Sequence, residues 1–157
     1  MPPQKRGTSP ADQVFDAEEK LYRRVPPDCL SPLGELLPSQ IGCSFGDTIG
    51  KSPSFVRSKY GSIDDTLHAD CAGGNDVSRH LVFFIPVSEL PTNVESGNKE
   101  LYDFYPFHDP EDTCYAHTVI ACKKKQNSSG NYDKPTDGVR NRLKTQFVSA
   151  FKNHRVR

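Results

Sequence analysis

The sequence predicts an α+β fold: a small antiparallel sheet built on residues 80–87, 101–107 and 115–122, packed by an amphipathic helix at each end of the chain. Three observations predict it. His80–Val87 reads His-Leu-Val-Phe-Phe-Ile-Pro-Val, apolar on both faces of an extended chain, which is the pattern of a buried strand. Val139, Leu143, Phe147 and Phe151 recur at a spacing of four, which puts them on one helix face. The 13 prolines and 11 glycines spread elsewhere demand many loops.

Taken in order, residues 1–8 read as a disordered tail and residues 9–157 as one compact domain. Ser9 is placed to cap a helix with Pro10 in its first turn, and Val14, Phe15, Leu21 and Tyr22 supply its apolar stripe. Lys20, Arg23 and Arg24 would suit the negative end of its dipole, and Pro26-Pro27 stops it. Pro32, Pro38 and Pro53 break the next stretch into short pieces. Leu33–Leu37 is expected as one helical turn, and Ser54–Tyr60 as a short strand or turn. Ser62-Ile-Asp-Asp65 has the form of a capping box, with Asp65 in place of the usual Glu, opening a short helix that runs to about Ala69. Ala72–Val77 is a Gly-rich loop. Pro86 ends the 80–87 strand or puts it at an edge. Leu101–Phe107 and Tyr115–Cys122 are the second and third strands, joined by a hairpin loop over His108–Cys114. Residues 123–135 form a polar loop, and Thr136 or Asp137 caps the last helix.

Composition narrows the function. Apolar residues make up 34% of the chain, enough for a modest core. No apolar run approaches the roughly 18–20 residues of a membrane span, so no membrane partner is expected. Met1–Asp16 has no apolar stretch of the secretory type. The five cysteines are odd in number, widely spaced and without a C-x-x-C pair, which reads as free thiols in a reducing, cytoplasmic setting.

Charge is zero overall but uneven. Residues 123–157 hold ten Lys and Arg against only Asp133 and Asp137, a net +8, so residues 1–122 carry −8. Arg140, Arg142, Lys144 and Lys152 on the last helix are the candidate contacts for an anionic partner, either an acidic protein face or nucleic acid bound through its backbone charge.

No catalytic motif completes itself. His108, Cys114, His117 and Cys122 are zinc-type ligands, but on one strand Cys114 and Cys122 lie about 27 Å apart at ~3.3 Å per residue, with His117 on the opposite face. No metal and no cofactor are expected. His68 followed by Gly73-Gly74-Asn75-Asp76 and Ser78 superficially resembles a stretch of HNH endonucleases, but the spacing is short and the terminal Asn/His helix is absent. Leu21-Tyr22-Arg23-Arg24 resembles the first motif of ADP-ribosyltransferase-like folds, in which an Arg grips the phosphates of NAD. Ser44-Phe45 could stand for their second motif. Glu89, Glu100 and Glu111 are available carboxylates, yet no Gln-x-Glu or Glu-x-Glu signature occurs, and that fold needs a strand where a helix is predicted. G-x-S-x-G, P-loop and G-x-G-x-x-G patterns are absent.

Leu21-Tyr-Arg-Arg-Val-Pro26, Phe55-Val-Arg-Ser-Lys-Tyr60 and His108-Asp-Pro-Glu111 leading into Tyr115-Ala-His-Thr-Val-Ile120 together resemble a group of short prokaryotic proteins. The resemblance covers about 100 residues with large gaps. It implies a bacterial, cytosolic setting and a convergence of Arg23, Arg24, Arg57 and His117, and it carries no substrate. The reading expected first is therefore a small non-enzymatic adaptor that docks on a larger protein through the basic C-terminal helix. The alternative is an ADP-ribosyltransferase-like or other nucleotide-acting enzyme with Arg23 or Arg24 on phosphate and His117 or Glu111 at the reacting centre. Third comes a sequence-nonspecific nucleic-acid binder.

Overall fold

A computed structural model describes residues 1–157. Six strands form one antiparallel sheet: β1 (Lys20–Val25), β2 (Ser54–Arg57), β3 (Leu81–Pro86), β4 (Val94–Glu95), β5 (Leu101–His108) and β6 (His117–Lys124). Their order is β3-β1-β2-β6-β5-β4. A short helix α1 (Ile63–Thr66) and a long one, α2 (Asp137–Phe151), complete the regular structure.

The three predicted strands are present with boundaries shifted by one or two residues, but they do not form the sheet alone. β3 lies at the end of the sheet opposite β5 and β4. It joins β6 only through β1 and β2, segments for which the sequence predicts the N-terminal helix and a short strand or turn.

The N-terminal helix over residues 10–24 is the main correction. Leu21 and Val25 point into the core while Tyr22 and Arg24 take the other face, an alternation of period two that a helix reading obscures. Every residue of β1 pairs with β3, from Lys20–Pro86 to Val25–Leu81. Upstream, Arg57 donates to the Asp12 carbonyl at 2.5 Å and to the Val14 carbonyl at 2.7 Å. A helix would need those carbonyls for its own ladder, so the Arg57 guanidinium holds this segment extended. The segment lies across the sheet as a strap. Asp12 N–H donates to His108 Nδ1 at 2.8 Å, and the Tyr115 hydroxyl to the Pro10 carbonyl at 2.6 Å. Residues 1–8, expected to be disordered, lie along the hairpin, where Tyr115 N–H donates to the Gln4 carbonyl at 2.8 Å.

The rest follows the local signals more closely. Thr136 caps α2 by accepting from Val139 N–H, and Val139, Leu143, Phe147 and Phe151 are all buried. They pack on the face of the sheet that carries Leu21, Phe55, Phe83, Ile85, Phe104 and Ile120. The Ser62/Asp65 capping box forms at α1. The helical turn expected at Leu33–Leu37 is replaced by a Leu30–Leu36 bridge, with a 3-10 turn following at Pro38–Gln40. At the outer edge of β3 the last residues add backbone bonds: Val156 N–H donates to Val82 O, and Phe84 N–H to His154 O.

On the opposite face a smaller cluster gathers Val56 and Ala116 around a disulfide between Cys71 and Cys114. The reading of five free thiols is therefore corrected: Cys71 and Cys114, 43 residues apart, meet at a Cα separation of 5.1 Å. Cys29, Cys43 and Cys122 remain free and buried. This removes the argument from cysteines for a reducing compartment. No helix is long and apolar enough to cross a membrane.

Candidate functional site

β1 and β2 share only two paired positions, Leu21–Arg57 and Tyr22–Val56. Beyond Tyr22–Val56 the two strands separate, and the Arg23 guanidinium takes the Ser54 carbonyl. Where the ladder stops, a cleft of about 480 Å³ opens, lined by Arg23, Arg24, Lys51, Ser44, Ser52, Ser54 and His80 together with glycine and proline positions. No hydrophobic and no acidic side chain lines it.

Arg23 bridges the cleft wall. Its guanidinium donates to the Ser54 carbonyl at 2.8 Å and to the Gly42 carbonyl at 2.6 Å, and lies 5.3 Å from the centre of the Phe55 ring. Arg24 reaches the Thr66 carbonyl at a long 3.5 Å. Neither arginine, nor Lys51, has a carboxylate within 4 Å. Burial lowers the pKa of both guanidiniums, opposed at Arg24 by the charge of Glu111. Both remain cationic, because arginine does not lose its proton in proteins. Ser52 is buried, its hydroxyl has no hydrogen-bond partner, and the neighbouring Tyr132 hydroxyl donates to Gly46 O.

His117 stands at the first position of β6, and its register partner is Val56. Its Nδ1 is 2.7 Å from the Asp109 carbonyl oxygen and its Nε2 is 3.0 Å from Ser54 Oγ. A carbonyl can only accept, so Nδ1 carries the proton and the Nε2 lone pair faces the Ser54 hydroxyl. Asp109 Oδ2 lies 3.6 Å from Nδ1, and Glu111 Oε1 lies 3.9 Å from Nε2. The hairpin carrying Asp109 and Glu111 is tied down by the Cys71–Cys114 disulfide and by a Glu111–Cys114 bridge. The arrangement sets a hydroxyl against an imidazole nitrogen, beside three cations with room for an anion.

Of the candidates drawn from the sequence, Arg23 and Arg24 line the cleft, His117 reaches it only through Ser54, and Glu111 lies behind His117 at 3.9 Å. Arg57 does not join them. It is fully buried and pairs with Glu19 below the N-terminal strap. Lys51, Ser52, Ser54 and Asp109 carried no local signal of a site. Of the basic helix residues, Arg140 pairs with Asp137 at 3.2 Å and Arg142 donates to the Glu95 carbonyl, while Lys144 and Lys152 make no side-chain bond within the chain. The residues weighed as zinc ligands are dispersed: Cys114 is in the disulfide, Cys122 is in the core, and His108 holds the strap. Comparison with protein-family models, with curated proteins and with solved structures finds no match for this chain.

Proposed function

We propose that this protein is an enzyme acting on a phosphorylated, nucleotide-class ligand, with Arg23 and Arg24 on phosphate and His117 as the base. The observation that carries the reading is the set of three cations, Arg23, Arg24 and Lys51, facing one cleft with no carboxylate within 4 Å of any of them. Arg23 and Arg24 are half-buried and lack a carboxylate in contact, an arrangement that costs free energy and that a bound polyanion offsets. The absence of apolar lining favours phosphate and sugar hydroxyls over an apolar ligand. Calorimetric titration with inorganic phosphate, AMP, ADP and NAD tests it. Binding that weakens at least about tenfold in Arg23→Ala and in Arg24→Ala, the cost of about one charge-assisted bond, is expected. No heat from any of the four at millimolar concentration would rule the reading out.

The docking reading has a separate support. Lys152 and Arg155, with Glu35 as the one acidic neighbour, flank a recess of about 280 Å³ floored by Leu36, Phe83 and Val148, which suits a segment with an apolar anchor and a net negative charge. A pull-down from the native host, with and without nuclease, tests it. A stoichiometric protein partner that is lost on charge reversal at Lys152 and Arg155 is expected, and recovery of the chain alone would sink it.

A further inference from the structure

We infer that Ser54 is a nucleophile, activated by His117, that takes a phosphoryl group from the ligand of the cleft. The inference rests on the phosphate reading above and goes beyond it by naming the reacting atom. Three serines line the cleft, and only one of them has a base. Ser44 makes no side-chain bond and Ser52 is unpartnered, whereas Ser54 Oγ sits 3.0 Å from His117 Nε2. The Asp109 carbonyl at 2.7 Å fixes the tautomer that leaves Nε2 free to accept a proton. Nucleophile, base and orienting group therefore form one continuous chain, the arrangement that activates a hydroxyl. Ser54 is only partly buried and opens to the cleft, while His117 is 6% exposed and screened from bulk water.

The surroundings favour phosphorus over a carbonyl carbon as the electrophile. Arg23 donates to the carbonyl of Ser54 itself, so the residue that would hold phosphate oxygens also fixes the nucleophile's backbone. Arg24 and Lys51 add charge that the three equatorial oxygens of a transferring phosphoryl group would need. In the first step Ser54 Oγ bonds to phosphorus and its proton passes to His117 Nε2. The bond from phosphorus to the leaving oxygen breaks in line, the electron pair goes with that oxygen, and it takes a proton from solvent while His117 keeps the one from Ser54. In the second step water attacks the phosphoserine from the vacated side and gives its proton to solvent. The P–O bond to Ser54 breaks, and Ser54 recovers its proton from His117. The sum is hydrolysis of a phosphate ester or anhydride, with water as the only co-reactant. Asp109 and Glu111, at 3.6 and 3.9 Å from the ring nitrogens, offset the positive charge of His117 between the two transfers.

The test uses p-nitrophenyl phosphate with the full chain, acid-quenched and mapped by mass spectrometry, alongside melting curves with inorganic phosphate. One phosphoryl group on Ser54 and release of nitrophenolate are expected. The label should vanish in Ser54→Ala, and turnover should fall about 10²–10⁴-fold in His117→Gln. Phosphate should still raise the melting temperature of Ser54→Ala, which shows that this variant folds and keeps the cleft. Phosphate stabilisation without label or release overturns the nucleophile and leaves the cleft reading standing. A label on another residue, or unchanged turnover in Ser54→Ala, does the same. A wild-type protein that phosphate does not stabilise overturns both.

Discussion

Arg57 and Glu19 meet in a two-point ion pair, Nε to Oε2 at 2.7 Å and Nη2 to Oε1 at 2.8 Å, with the arginine fully buried. The guanidinium also lies 3.8 Å from the centre of the Phe15 ring, and it holds two carbonyls of the strap. Truncating either partner leaves the other as a sequestered, unpaired charge. Arg57→Met is expected to cost about 3–5 kcal/mol in urea unfolding, with Glu19→Gln a smaller loss. A cost under about 1 kcal/mol for Arg57→Met would show that the strap is held by other contacts.

His108 makes stability depend on pH. Its Nδ1 accepts from Asp12 N–H at 2.8 Å and its Nε2 lies 2.6 Å from the Tyr115 carbonyl, so the folded ring is neutral. Burial lowers its pKa, outweighing the bond to Tyr115. The unfolded chain then binds the extra proton first, and stability falls as pH drops below about 6.5 towards the lower folded value. Denaturation midpoints at pH 7.5 and 5.5 should differ in the wild type and draw together in His108→Gln.

Asp133 ties the loop after β6 to its strand. Desolvation raises its pKa, but bonds from Lys124 N–H, the Ser128 hydroxyl and Ser129 hold it down at about 2. Its stabilising effect is complete above the unfolded value of about 3.9 and is lost as pH falls from there towards 2. Asp133→Ala should cost about 1–3 kcal/mol at pH 7 and markedly less near pH 2.

The cysteines give a titration with a definite count. Burial pushes the Cys43 thiol up to about 11 and the Cys122 thiol up to about 12, and Cys29 is raised the same way. The native protein should therefore show almost no fast-reacting thiol. Unfolding without reductant should expose three, and with reductant five. Five thiols without reductant would mean that Cys71 and Cys114 are not joined. Cys71→Ser is expected to lower stability by about 2–4 kcal/mol through the 43-residue loop the bridge closes.

How much of this was legible depends on where each signal resides. α2 was readable because its cap and its buried face are local properties of residues 136–151. β3, β5 and β6 announced themselves through apolar or alternating runs. β1 did not, since Leu21 and Tyr22 are adjacent apolar residues that fit a helix as well as a strand. The deciding groups are remote: Arg57 takes the strap's carbonyls and β3 pairs the whole of β1. The site divides the same way. Arg23, Arg24, His117 and Glu111 belong to segments dense in charged and aromatic residues. Ser54 sits in an ordinary Ser-Pro-Ser stretch and acquires a base only because β2 pairs with β6 in a register that sets Val56 against His117.

The backbone bonds between residues 154–157 and β3 bear on how copies of the chain behave towards one another. A sheet with bare margins recruits strands from neighbouring molecules. Here the β3 margin is covered by the Phe83–Arg155 bridge and its flanking bonds. The far margin, β4, is only two residues long, and Arg142 occupies the carbonyl of its second residue, Glu95. The terminal arginines thus act as a fence against edge-to-edge association. Trimming Arg155–Arg157 would uncover the apolar Leu-Val-Phe-Phe-Ile run of β3 to other molecules, with aggregation the first consequence to look for.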